Sequence, residues 1–245
     1  MKTLDLKVKF RNTDLDISYN FDDNFKNYFI RQAGLKGIRL SELEISKAMS
    51  DRTTGTLDFI IDNVNLPNDP VIIDIGSGNS LTDLALSKFL PNAKFILVDG
   101  DGDNVNKNLH TDKFLTYNSW QMVRDAIRLS NIDSSRFSMH NIDYPFDQQV
   151  DMIISTNSWG LHYPIDVYLD KVVNALKPGG YLVIQPVINI NGYIEQVNKV
   201  LNSIVVKEQF NWMQESLEWS TWRQYFPNVA DNQALMHKCV WQKPL

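Results

Sequence analysis

Two glycines and an acid stand together in Val71-Ile72-Ile73-Asp74-Ile75-Gly76-Ser77-Gly78-Asn79-Ser80, between a short apolar run and a segment of helical periodicity. A strand that ends in such a turn and feeds a helix puts the turn at the carboxyl edge of an open α/β sheet, where ligands bind. The glycines let the chain turn sharply and let a ligand lie against bare amides. Charge and bulk then decide between ligand classes. A dinucleotide fingerprint, Gly-x-Gly-x-x-Gly, needs its third glycine where this chain has Leu81, whose bulk obstructs a pyrophosphate. The Asp74 carboxylate repels a pyrophosphate as well. It attracts a nucleoside that carries an ammonium and a sulfonium, because charge-assisted hydrogen bonds are the strong kind.

Further acids follow at matching intervals. Val98-Asp99-Gly100 ends a second apolar run, with Asp99 placed 25 residues after Asp74, the length of one strand–helix–strand unit. An acid at that strand tip can hold both hydroxyls of a ribose. Met139-His140-Asn141-Ile142-Asp143 precedes a third buried run. A carboxylate there either accepts from an adenine amine or, as loop aspartates often do, forms a turn.

These residues resemble the class I S-adenosylmethionine-dependent methyltransferases. The likeness covers residues 71–185 and rests on Asp74-Ile75-Gly76-Ser77-Gly78, Val98-Asp99 and Leu176-Lys177-Pro178-Gly179-Gly180-Tyr181-Leu182. It implies S-adenosyl-L-methionine as cofactor. The contacts it implies are Asp74, Gly76, Ser77, Gly78 and Ser80 in the loop, Asp99 and Gly100, Ile142 and Asp143, and Ser155 after the third run. Ser80 stands where the family usually has a third glycine, and its hydroxyl is placed to meet the cofactor's amino-acid end. A narrower likeness joins Asp74-Ile75-Gly76-Ser77-Gly78-Asn79-Ser80 with Ser158-Trp159-Gly160-Leu161-His162-Tyr163-Pro164 and is to a group of sugar O-methyltransferases.

For methyl transfer from an activated sulfonium, alignment of the reacting groups is the main task. A base that takes the acceptor's proton adds about 10²–10⁴-fold. The loop Ser155-Thr156-Asn157-Ser158-Trp159-Gly160-Leu161-His162-Tyr163 leaves the third apolar run and would face the methyl group. His162 is the candidate base, because imidazole titrates near working pH; otherwise it packs beside Tyr163 and Pro164. Tyr163 is a candidate for positioning the acceptor. Trp159 either stacks on a sugar face or walls the pocket. Enzymes that methylate nucleobase amines commonly carry Asn-Pro-Pro-aromatic here, and Asn157-Ser158-Trp159 lacks the prolines. The acceptor expected is a small-molecule or glycan hydroxyl. Trp212, Trp219, Trp222, Tyr225 and Phe226 crowd an insertion at 210–233 and serve either as core or as an acceptor lid. A nicotinamide-dependent reductase and a non-catalytic cofactor-binding protein are the rival readings. The histidines and the lone cysteine do not fall at metal-ligand spacing, so no metal site is expected.

The elements that must position these groups can be read from periodicity. Leu4, Leu6, Val8 and Phe10 alternate with polar residues, and Leu15, Ile17 and Tyr19 alternate again after a turn, which predicts a hairpin. Helices are predicted at residues 24–33 and 41–64, the second opened by a capping box of Ser41 and Glu44. Pro67-Asn68-Asp69-Pro70 then stops the chain. Strands are predicted at 71–73, 95–98, 152–154 and 181–184, with helices at 81–90, 120–129 and 168–176. This alternation calls for a parallel sheet with helices on both faces. Two last strands, 204–210 and 234–242, are expected to pair antiparallel. The expected fold is a Rossmann-like α/β three-layer sandwich with a mostly parallel seven-stranded sheet, whose reversed last strand is implied by the family. Residues 1–69 form a hairpin and helical cap, and residues 70–245 form the methyltransferase domain.

Composition narrows the setting. The chain has 245 residues, is 43% hydrophobic and 22% charged, and carries a net charge of −5 without a basic run. That disfavours a nucleic-acid substrate, which needs clustered cations. One cysteine permits no internal disulfide. The sequence shows no signal peptide and no apolar run long enough to span a bilayer, so a cytoplasmic protein is expected.

Overall fold

The computed structural model describes residues 2–21, 41–100, 119–156, 158–159, 165–188, 192–209 and 236–245. The helix expected at 24–33, residues 160–164 and the aromatic insertion at 210–233 lie outside them.

Strands β1 (Lys2–Phe10) and β2 (Thr13–Phe21) form an antiparallel hairpin closed by Arg11-Asn12, with Arg11 at φ 52°. The period-two pattern has the expected result: Leu4, Leu6, Val8, Phe10, Leu15, Ile17 and Tyr19 are all buried. Helix α1 (Glu42–Asn63) opens on the capping box. The Glu44 amide donates to Ser41 Oγ at 3.3 Å, and the Ser41 amide donates to Glu44 Oε2 at 2.8 Å.

Strands and helices then alternate: β3 (Val71–Ile75), α2 (Leu81–Phe89), β4 (Lys94–Val98), α3 (Trp120–Leu129), β5 (Phe137–His140), β6 (Val150–Thr156), α4 (Leu169–Ala175), β7 (Leu176–Ile188), α5 (Tyr193–Asn198), β8 (Asn202–Gln209) and β9 (Met236–Gln242). The strands from β3 onward make a seven-stranded sheet in the order β5-β4-β3-β6-β7-β9-β8. The pairs β3/β4, β4/β5 and β6/β7 are parallel, whereas β9 runs against both β7 and β8. This is the Rossmann-like α/β fold expected, with its last strand reversed. The strands read as unbroken apolar runs because they are covered on both sides: Ile72, Ile73, Phe95, Leu97, Met152, Ile153 and Ile154 are buried.

The chain forms two compact units, residues 1–62 with 67–144 and residues 63–66 with 145–245. In the first, β2 lies against α2 and α3. Phe10 meets Phe89 edge-on at 4.6 Å, and the Arg11 guanidinium sits over both rings at 5.3 and 5.9 Å. The Ser18 amide donates to Ser130 Oγ at 2.9 Å, and Asn20 Nδ2 donates to Asp125 Oδ2 at 3.1 Å. At the far end of α2, Arg136 Nη1 donates to the carbonyls of Ser87, Leu90, Pro91 and Ala93. A cation there satisfies carbonyls that the helix end leaves open. Helix α2 is therefore fixed along its side by the hairpin and at its end by Arg136.

In the second unit the Pro-Gly turn is built into the start of β7. Val150 pairs with Leu176 and Met152 with Tyr181, so Lys177-Pro178-Gly179-Gly180 bulges opposite Asp151. Lys177 Nζ holds both Asp151 carboxylate oxygens, at 2.8 and 2.9 Å. Gly179 adopts φ 78°, and its amide donates to the Lys243 carbonyl at 3.0 Å.

Three elements differ from expectation. Strand β5 was not anticipated, because Phe137–His140 is a short edge strand of mixed exposure without an apolar run. Strand β7 begins five residues before the expected 181, because the bulge is already paired to β6. The six-residue α5 gave too short a pattern to read as a helix.

A Cβ on Gly180 would stand 2.9 Å from the Lys177 carbonyl and 3.1 Å from the Asp151 carbonyl. Both obstacles are backbone and cannot swing away, so Gly180→Ala is expected to destabilise the protein by about 1–3 kcal/mol. Denaturant unfolding measures this, and an unchanged midpoint would contradict it.

Candidate functional site

The glycine turn joins β3 to α2, and backbone bonds hold it against the end of β4. The Gly76 amide donates to the Val98 carbonyl at 2.7 Å, and the Ser80 amide to the Ser77 carbonyl at 2.8 Å. Gly76 and Gly78 have φ of 75° and 56°, a region that glycine enters without the steric cost of a Cβ. Ser80 shares that conformation, with φ 56° and ψ 24°, and this explains physically why the resembled family prefers glycine there. Its side chain does not cap α2; Asn79 Oδ1 instead accepts from the Leu81 amide at 3.2 Å. The Tyr19 hydroxyl donates to the Asn79 carbonyl at 2.7 Å, which ties the hairpin to the turn.

Asp99, at the tip of β4, binds the turn directly. Its Oδ2 accepts from the Gly78 amide and its Oδ1 from the Gly100 amide, both at 2.6 Å. A carboxylate offers about four acceptor positions, so both oxygens keep capacity for hydroxyl donors. Loss of solvent raises the Asp99 carboxyl to about 6, against the pull of the two amides. The Asp99 amide donates to the His140 carbonyl at 3.0 Å, and this brings the end of β5 beside it. Asn141 to Tyr144 then form a turn closed by the Tyr144 amide on the Asn141 carbonyl at 3.0 Å. Ile142 is half-buried and Asp143 exposed on that turn.

The most distinctive feature is a set of polar atoms with nothing to bond. Asp74 is 1% exposed, and among the described residues neither of its carboxylate oxygens has a fixed donor, the Asp83 carboxyl alone lying within reach. The Ser77 and Ser80 hydroxyls are likewise buried without partners. Burial, then the nearby Asp83 and Asp99 carboxyls, drive the Asp74 carboxyl well above its ordinary range. Buried carboxyls are normally paired, because desolvation without compensation is costly. Orphaned acceptors beside bare amides fit a ligand that brings a cation to Asp74 and hydroxyls to Asp99. A pyrophosphate fits neither.

Asp74, Gly76, Ser77, Gly78, Ser80, Asp99 and Gly100 are thus gathered in one place, with Ile142 and Asp143 on the neighbouring strand's exit. Ser155, the last residue but one of β6 in the other unit, is fully buried, and its Oγ accepts from the Trp159 amide at 2.9 Å. Trp159 is itself fully buried, edge-on to Tyr168 at 5.9 Å, so it packs rather than offering a face to a sugar. His162 and Tyr163 lie outside the described residues. Sequence reasoning missed Asp83, which is fully buried in the first turn of α2. An acid there reads as an ordinary partner of the helix dipole. The available signal was its setting, since Leu81, Leu84, Ala85 and Leu86 leave that helix little polar surface.

No protein-family model and no curated protein matches the chain. Solved structures do share its fold. Geranyl diphosphate C-methyltransferase from Streptomyces coelicolor A3(2), in complex with Mg2+, geranyl-S-thiolodiphosphate and S-adenosyl-L-homocysteine, is similar with a TM-score of 0.57 and 13% identity, over 86% of this chain and 84% of that one. The [4+2]-cyclase SpnF is similar with a TM-score of 0.55 and 13% identity, over 86% and 84%. The StiE O-methyltransferase segment is similar with a TM-score of 0.55 and 12% identity, over 88% and 81%. The fold is therefore the Rossmann-like one found in solved methyltransferases. That a cyclase shares it shows that the fold does not fix the reaction.

Replacing Ser80 by glycine removes both a left-handed side-chain clash and a buried unbonded hydroxyl. Ser80→Gly is expected to stabilise the protein by about 0.5–1 kcal/mol. Thermal unfolding checks this, and a lowered midpoint would contradict it.

Proposed function

We propose that the protein is an S-adenosyl-L-methionine-dependent methyltransferase acting on a small-molecule or glycan hydroxyl. The observation that carries the cofactor reading is the desolvated Asp74 carboxyl, without a fixed donor among the described residues, beside the Gly76-Ser77-Gly78 turn. When bound, the cofactor supplies a methyl group already activated on a sulfonium. The chain's own groups do the rest. Asp74 accepts from the ammonium of the cofactor's amino-acid end, with the Ser77 and Ser80 hydroxyls and the amides of Gly76 and Gly78 beside it. Asp99 takes the ribose hydroxyls with its spare acceptor capacity while holding Gly78, and Gly100 stays close for want of a side chain. Ile142 packs on the adenine, and Asp143 accepts from its amine. Ser155 is assigned to the cofactor on the family likeness alone.

The hydroxyl acceptor rests on the likeness of the 158–164 segment to sugar O-methyltransferases. In this reading His162 takes the acceptor's proton and Tyr163 positions the acceptor, with the aromatic insertion as its cover. Residues 1–69 are proposed as a cap on the domain at 70–245; the grip of the hairpin on α2 and on Asn79 supports that role for its described part. No described helix is long and apolar enough to cross a membrane.

Titration calorimetry with S-adenosylhomocysteine and, separately, NADH tests the cofactor. Binding of the first alone is expected; binding of NADH alone would establish the reductase reading instead. Asp99→Ala is expected to weaken S-adenosylhomocysteine by about 1.5–3 kcal/mol, the value of hydrogen bonds to a charged group. Unchanged affinity would remove Asp99 from the site. Mass spectrometry of cell extract incubated with enzyme and isotopically methyl-labelled cofactor identifies the acceptor. With it in hand, His162→Ala is expected to lower turnover by about 10²–10⁴-fold with cofactor affinity nearly intact. A wild-type rate at every pH would exclude the base.

A further inference from the structure

Asp83 has no part in the reading so far, yet it is as deeply buried as any described residue. It sits at 0% exposure in α2, and among the described residues its carboxylate oxygens meet no side-chain donor, only its own amide lying against them. What it faces is Asp74: the two carboxyls lie within hydrogen-bonding reach of each other. Two ionised carboxylates so close and so dry repel strongly, and the one amide beside Asp83 offsets little of the loss of water. A proton between them removes the repulsion and supplies the missing donor. The charged groups that face Asp74 are Asp83 from α2 and Asp99 from the end of β4. Both are acids, and no described cation faces the pair.

We propose that Asp83 is a positioning residue for Asp74: before a ligand binds the two carboxyls share a proton, and the ligand's ammonium takes that proton's place. This rests on the cofactor reading above and adds to it a proton balance. One proton leaves the pair for solvent, and one cationic ammonium arrives on Asp74. No bond other than O–H is broken. The arrangement selects for cationic ligands, since an anion or a neutral group cannot replace the proton's charge. Burial raises the Asp83 carboxyl to about 7 and drives that of Asp74 well above its ordinary range, so the pair still holds a proton at neutral pH.

The wild-type protein provides the first test, by calorimetry with S-adenosylhomocysteine from about pH 6 to about pH 8. Release of one proton strengthens binding by up to about tenfold per pH unit on the acid side. It also makes the binding heat depend on the ionisation enthalpy of the buffer. 5′-Methylthioadenosine has the same nucleoside without the ammonium. It is expected to show the smaller pH dependence, reporting Asp99 alone. In Asp83→Asn the pair no longer needs a proton, so the dependence flattens and binding at about pH 6 tightens relative to wild type. The ligand-free variant gives a readout independent of binding. A folded-state carboxyl raised above its unfolded value contributes stability that is full below about pH 4 and is lost as pH rises through about 7. Asp83→Asn is therefore expected to raise the unfolding temperature at about pH 8 more than at about pH 5. Binding with no proton release overturns the shared proton and leaves the cofactor reading standing. Failure of S-adenosylhomocysteine to bind at any pH overturns both.

Discussion

The Asp74 carboxyl is held out of water near the end of β3 with no fixed donor among the described residues, and much of the structure around it serves to keep it there. Taking a carboxylate from water into protein is costly, and a fold tolerates it when a partner arrives or a proton neutralises it. Neighbouring elements each contribute. The Ile72 and Ile73 side chains bury the strand; α2 closes the site with Asp83 rather than with a base; Asp99 fixes the turn through the amides of Gly78 and Gly100. The hairpin and Arg136 restrain α2, which carries Asp83, from the side and the end. A local electrostatic demand is thus supported by packing that begins at Leu4 of the hairpin.

Much of this was legible in the sequence where burial is uniform. Strands such as Val71–Ile75 and Lys94–Val98 announce themselves because both faces are covered, and Trp120–Leu129 because one face is. The hairpin was legible from strict alternation, and the start of α1 from its reciprocal cap. What the pattern missed was short or irregular. Phe137–His140 borrows its strand character from β4, and the Lys177 to Gly180 bulge is fixed by pairing to residues far away in sequence.

For the candidate site, the turn glycines and Asp99 were legible because residue type and spacing are themselves the signal. Asp83 was not, because its importance lies in facing Asp74 across the helix–strand junction, and spacing along the chain does not carry that. Trp159 illustrates the same limit from the other side. As a letter it suits sugar stacking; in the fold its ring is fully enclosed beside Tyr168.

The same fold is shared by a C-methyltransferase, an O-methyltransferase segment and a cyclase. Reaction and acceptor therefore depend on groups added to the sheet edge, while in the proposed reading the turn and Asp74 set what cofactor the edge can hold. Diffraction from crystals grown with S-adenosylhomocysteine tests that most directly. The account predicts ligand density over Gly76 and Gly78, with the amino group on Asp74 and the ribose on Asp99. Density elsewhere, or a cleft closed by the protein's own side chains, would contradict it.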